Sequence, residues 1–202
     1  MVWGHDASAP DLREELSYHR RVRWVDQEFT RHDFREEDLA GLRTERVVFT
    51  ECDFSGANLS ESMHLSSAFR NCRFVRATLW QSTFRQCSLL GSTFEDCRLR
   101  PIVFEDVDFT LAVLGGADLR GVDLSGCRLR EAGLVQADLR KAVLRGTDLS
   151  GARTTGLRLE GADLRGARVD ATMWTTAQCR GARIDVAQAL AFAAAPGLAI
   201  DG

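Results

Sequence analysis

Residues 117–126 read ADLRGVDLSG, and every class of residue in them returns after five positions. Leu119 and Leu124 are large and apolar, Ala117 and Val122 sit two places before them, and Gly121 and Gly126 two places after. Carried outward, the same ruler fits from Phe29 to Ile184 without a change of phase, with an apolar residue at 28 of 32 slots. Thr44, His64, Thr154 and Cys179 are the exceptions. Two residues earlier runs a second column, which from Val47 to Ala182 holds Ala, Cys, Ser, Thr or Val at 26 of 28 positions, all but Ile102 and Leu157. Gly follows the large residue by two at 12 of the 17 glycines.

A period of five is neither that of an α-helix nor that of a plain strand, yet two residues spaced by two point to the same side of an extended segment. Each unit therefore turns one large and one small side chain inward and then makes a corner, where glycine suits a backbone of positive φ. Corners that bring the inner walls close together leave room for one large side chain per unit, which explains the small column. Five of the six cysteines, Cys52, Cys72, Cys87, Cys97 and Cys127, fall in that column and read as reduced interior fillers. The reading is one repeat domain over 24–184, preceded by a polar leader 1–23 and followed by a distinct end, 185–202.

The units CDFSG (52–56), ANLSE (57–61), VDLSG (122–126), TDLSG (147–151) and ADLRG (117–121 and 162–166) resemble the A(D/N)LXX unit of the pentapeptide-repeat family. That resemblance implies an all-β fold, a right-handed quadrilateral β-helix with four units per coil. About eight coils at the usual strand spacing would make a rod roughly 40 Å long. WVDQEF (24–29), FRNCRF (69–74), DVDFTLAVLGG (106–116), TDLSGARTTG (147–156) and AFAAAPGLAIDG (191–202) resemble the mycobacterial fluoroquinolone-resistance branch of the family. Membership there implies a homodimer that mimics double-stranded DNA, binds DNA gyrase in its place and modulates its activity, conferring fluoroquinolone resistance. Plasmid-borne relatives carry loops projecting from the coil, and the unbroken phase here leaves no obvious place for one.

Charge sets bounds on such mimicry. Full imitation of a duplex over 40 Å requires roughly 24 uncompensated negative charges, whereas residues 24–184 hold 23 acidic and 22 basic side chains. Mimicry must then rest on shape and local patches. The mid-rod run Glu95, Asp96, Glu105, Asp106, Asp108, Asp118 and Asp123 is the candidate patch for a DNA-binding surface of a partner. Asp118 and Asp123 precede a central Leu, where the repeat itself calls for Asp, so solvation or corner hydrogen bonds are the plainer role for them. Glu95, Asp96, Glu105 and Asp106 follow a central Phe, where no acid is required.

A stacked β-helix leaves unpaired edges at its ends. Asp185 with Gln188 three residues on reads as an N-cap, opening a short C-terminal helix from Val186 that Pro196 and Gly197 stop. With Gln188 its one polar side chain, this helix is expected to cap the last coil and to meet a second copy through Val186, Ala189, Leu190, Phe192 and Ala193.

Other classes fare worse. The histidines His5, His19, His32 and His64 are scattered and no metal-ligand spacing appears, so neither an enzyme, a cofactor nor a metal site is expected. His64 reads as a hydrogen-bonded interruption of the interior. Balanced charge opposes a nucleic-acid binder, although Arg128, Arg130, Arg140, Lys141 and Arg145 make the C-terminal third positive. No stretch is apolar enough to span a membrane and the polar leader lacks an export pattern, which makes the cytoplasm the expected location. The competing function is a scaffold of the same fold serving a protein partner other than gyrase.

Overall fold

Every pairing in the molecule joins residues 20 apart in sequence, in parallel, so four five-residue units complete one coil. The structure, a computed structural model, describes residues 22–194. The leader lies outside the described residues apart from Val22 and Arg23, and Arg23 already begins the first strand.

The strands are β1 (Arg23–Val25), β2 (Glu28–Thr30), β3 (Arg43–Glu45), β4 (Val48–Thr50), β5 (Met63–Leu65), β6 (Ala68–Arg70), β7 (Arg73–Val75), β8 (Thr83–Arg85), β9 (Thr93–Glu95) and β10 (Val103–Glu105). They form three sheets, β1-β3-β5-β8-β10, β2-β4-β6 and β7-β9. These lie on the first, second and third faces of a square column, the faces that begin at Trp24, Phe29 and Phe34. The fourth face, beginning at Leu39, is held by isolated bridges, as are all faces beyond Glu105. The expected all-β, four-sided β-helix is the observed architecture.

The centre of the column holds the large residues, from Phe34 and Leu59 to Leu164, nearly all fully buried. Because equivalent residues recur once per coil, like side chains stack. Phe34, Phe54, Phe74 and Phe94 form one stack with ring centroids 4.7, 5.0 and 4.8 Å apart, and Phe29, Phe49 and Phe69 form a second. Most of the small column is buried too, and three of its hydroxyls share one kind of partner. Ser82 Oγ donates to the Leu59 carbonyl at 2.7 Å, Ser92 Oγ to Phe69 at 2.8 Å and Thr147 Oγ1 to Leu124 at 2.8 Å, each 23 residues back. The thiols of Cys52, Cys72 and Cys87 donate to the equivalent carbonyls of Phe29, Phe49 and His64. Burial pushes the Cys87 and Cys127 thiols up to about 11, which leaves them unreactive.

All 12 repeat-phase glycines have positive φ, between 65° and 72°, as the corner reading requires. So do seventeen other residues at the equivalent place, among them Glu36, Asn71, Asp96, Asp106 and Leu111. The typical corner N–H donates to a backbone carbonyl of the next coil, as Gly56 does to Val75 at 2.8 Å.

Two helices end the column. The second, α2 (Val186–Ala194), was expected; the first, α1 (Ala171–Thr176), was not. Trp174 keeps its buried slot while sitting on α1 rather than on a repeat unit. Thr154 Oγ1 meets Thr176 Oγ1 at 2.8 Å, so that gap in the apolar series is a contact to α1. At the last edge, carboxylates replace the missing carbonyls. Asp170 Oδ2 accepts from Gly151 N–H at 2.6 Å and Asp185 Oδ2 from Gly166 N–H at 2.8 Å, each from one coil earlier. The capping box is present as read: Gln188 N–H donates to Asp185 Oδ1 at 2.9 Å and Asp185 N–H to Gln188 Oε1 at 3.0 Å. Gln188 is buried because its Nε2 also donates to the carbonyls of Leu164 and Ala167.

Candidate partner-binding surface

A column filled to its centre has only an outside to offer, so the site must be sought on the faces and corners. The seven carboxylates of the candidate patch occupy adjacent coils but not one side. Glu95 is on the third face and Asp96 on the corner between the third and fourth. Glu105 lies on the first face, with Asp106 on the corner between first and second. Asp108 is on the second, Asp118 on the fourth and Asp123 on the first. The single patch expected from the sequence is thereby corrected: residues two units apart are half a coil apart and face opposite ways.

Their partners divide them further. Asp108, Asp118 and Asp123 each accept the backbone N–H two residues on, at 2.9, 3.3 and 2.8 Å, which is the local turn role expected for the last two. Arg120 binds Asp118 at 2.7 Å and Arg100 reaches it at 3.1 Å. The Arg120 guanidinium above all holds the Asp118 carboxyl far below the usual range. Glu105 pairs with Arg85 of the preceding coil at 2.8 Å. Glu95, Asp96 and Asp106 are exposed and form no ion pair among the described residues. Two small acidic corners on diagonally opposite edges are what remains.

The far end offers a different surface. On α2, Val186, Ala189, Leu190 and Phe192 are exposed and Ala193 is half-buried. Phe192 packs edge-on against Trp174, centroids 5.7 Å apart. With Phe192, the side chains of Trp174, Ala177, Cys179, Ala182 and Ile184 and one charged residue, Arg180, line a hollow of about 420 Å³. Exposed apolar side chains at 46% to 78% accessibility on one short helix are a surface suited to burial against another protein.

No three His, Cys, Asp or Glu side chains among the described residues come together in a way that could hold a metal ion. His64 is enclosed, its Nδ1 2.8 Å from Thr44 Oγ1 and its Nε2 2.9 Å from Ser62 Oγ, as the reading of a satisfied interior histidine required. Among the described residues no helix is long and apolar enough to cross a membrane.

The pentapeptide repeat region profile matches residues 77–154, and the profile of pentapeptide repeats matches 29–62 and 142–170. The chain is a pentapeptide-repeat protein. This pentapeptide-repeat protein is 68% identical over 101 residues to the pentapeptide repeat protein MfpA of Mycobacterium tuberculosis. That match covers 50% of the chain and 55% of MfpA, so the chain spans about half the length of the curated relative. Among solved structures, its fold is shared by HetL, a pentapeptide repeat protein involved in heterocyst differentiation regulation in Nostoc. HetL superposes with a TM-score of 0.66 at 21% identity, covering 85% of this chain and 90% of HetL. Trypsin-treated QnrB1, a plasmid-mediated fluoroquinolone resistance protein, superposes with a TM-score of 0.60 at 19% identity, covering 89% of this chain and 98% of QnrB1. At such identities the two structures speak for the fold alone.

Proposed function

We propose that this pentapeptide-repeat protein acts in the cytoplasm as a homodimer that binds DNA gyrase in place of duplex DNA, modulates the enzyme and lowers its susceptibility to fluoroquinolones. The observation that carries the reading is the 68% identity to MfpA, within the branch whose motifs the sequence displays. The rod shape is compatible with it, and the uncompensated acids at Glu95, Asp96 and Asp106 are the groups that would meet a DNA-binding surface.

Gyrase supercoiling and ATP turnover, measured with the purified protein at micromolar concentration, test the proposal. A change in either supports it and a flat response in both rejects it. The two acidic corners can be told apart by charge reversal, Glu95→Lys with Asp96→Lys against Glu105→Lys with Asp106→Lys. All four side chains are exposed, so the column should stay folded, and the pair that weakens the gyrase effect marks the contacting edge. For the dimer, light scattering on Val186→Asp with Leu190→Asp should show the mass halved; a mass equal to that of the parent protein rejects the helix as the contact.

A further inference from the structure

Apart from the place where α1 enters the third face, the coil-to-coil ladder of the described residues is interrupted only midway along the rod. On the regular faces a central N–H donates to a backbone carbonyl of the next coil: Phe94 to Val113 at 2.8 Å, Phe109 to Arg128 at 2.7 Å. Between these two rungs, Asp96, Leu99, Phe104 and Asp106 make no such bond among the described residues, and Pro101 has no N–H to give. In the return direction Asp118 and Asp123 leave the Cys97 and Ile102 carbonyls unpaired, although Val113 reaches Ser92 at 2.9 Å and Arg128 reaches Val107 at 3.0 Å. The gap therefore runs along the fourth and first faces, while the second and third remain closed.

Independent features mark the same spot. Ile102 is one of two bulky residues in the small column, with Ser82 and Val122 directly above and below it. Grooves flank the gap on the corner at Pro101. One of about 480 Å³ is lined by Met63, Ile102 and Val103, and one of about 710 Å³ by Arg100, Arg120, Arg140 and Lys141.

We propose that the rod carries a one-sided hinge at mid-length, with Ile102 as the wedge that holds two coils apart. It opens at the corner of Pro101 and pivots about the diagonally opposite corner at Leu111, whose N–H stays bonded to Arg130 at 2.9 Å. Asp96 and Asp106 stand at the two ends of the gap, so the motion changes the curvature of the surface that carries the free acids. The hinge goes beyond the gyrase reading and stands without it.

Hydrogen exchange on the full chain, followed amide by amide, tests it. The N–H groups of Leu99, Phe104, Asp118 and Asp123 should exchange roughly 100-fold or more faster than those of Val113 and Arg128 in the same coils and Leu79 and Leu139 elsewhere. Equal protection on the open and closed faces overturns the hinge. In Ile102→Ala, slowed exchange at Asp118 and Asp123 supports the wedge. Unchanged fast exchange there, with Leu79 and Leu139 still protected as a check on folding, overturns it.

Discussion

The coils up to Asp106 and those after it solve the same packing problem with different residues. In the first set the centre is rich in Phe, ten strands form, and thirteen of the seventeen non-glycine residues of positive φ hold the corners. In the second the centre is mostly Leu, only isolated bridges form, and nine of the twelve corner glycines appear. An L-residue in the left-handed region costs about 1–2 kcal/mol, so the first half keeps its corners against local preference and must offset that through stacked rings and continuous ladders. The second half follows local preference at each corner and needs less from its neighbours. Charge pairing does not divide this way: both halves pair across coils, as Arg46 does with Asp26 at 2.6 Å and Arg145 with Asp163 at 2.7 Å, and within a unit, as Arg35 does with Asp33 at 2.6 Å and Arg140 with Asp138 at 2.7 Å.

The largest consequence is expected in the ring stack. Phe54 lies between Phe34 and Phe74 and meets Phe49 edge-on at 5.3 Å. Phe54→Ala should cost about 3–5 kcal/mol in urea unfolding and more than Leu139→Ala in the second half, for which the range is about 2–5 kcal/mol. Equal costs would mean that the stack adds nothing beyond buried volume and would break the contrast.

A smaller effect, confined to the first half, comes from His64. Burial inside the column pushes its imidazole down to about 3, so the native protein holds it neutral. In the unfolded chain it binds a proton near pH 6.5. The unfolded state therefore takes up more protons between those values, and stability is fully present above pH 6.5 and lost as pH falls toward 3. About 2 kcal/mol should go between about pH 6.5 and 5, above the range where carboxylates titrate. His64→Phe, matching Phe84 one coil on, should flatten that interval; an unaltered pH profile would show that the proton goes elsewhere.

Much of this is legible in the sequence because a strict phase leaves few choices. Twenty-eight apolar slots, a small column and corner glycines determine which side chain points where. Asp185 and Gln188 announce their helix because a capping box is a local signal. The first helix is hidden since Trp174 keeps the apolar phase across it; its signals are Met173 in a column that elsewhere faces out, and corners at Ala171 and Thr176 without glycine. The acidic run misleads for a different reason. Nearness in sequence suggests nearness in space, although with four units to a coil Glu95 and Glu105, two units apart, must lie on opposite faces. The mid-rod gap is signalled only by Pro101, which has no corner N–H, and by Ile102, a bulky residue in a small column, whose matching exception Leu157 interrupts nothing, since its carbonyl still accepts from Gln178 N–H at 2.8 Å.

Corners supply the finest test of the contrast, because there the change is almost purely one of backbone. At Gly161 an added Cβ would meet only Lys141 Cγ at 3.6 Å, an ordinary contact, so Gly161→Ala tests a φ of 71° with little steric penalty. It should cost about 1 kcal/mol. At Gln86, whose φ is 51°, the side chain makes one long exposed contact to Ser66 at 3.3 Å. Gln86→Gly relieves the left-handed backbone but also frees the unfolded chain, and the two nearly cancel, leaving a gain of about 0.5 kcal/mol. Gain in the first half and loss in the second, read from urea midpoints, is the pattern expected if the early coils hold strained corners by cooperation. A loss at both would mean that the side chains at early corners contribute more than their backbones cost, and the two halves would then differ in composition alone.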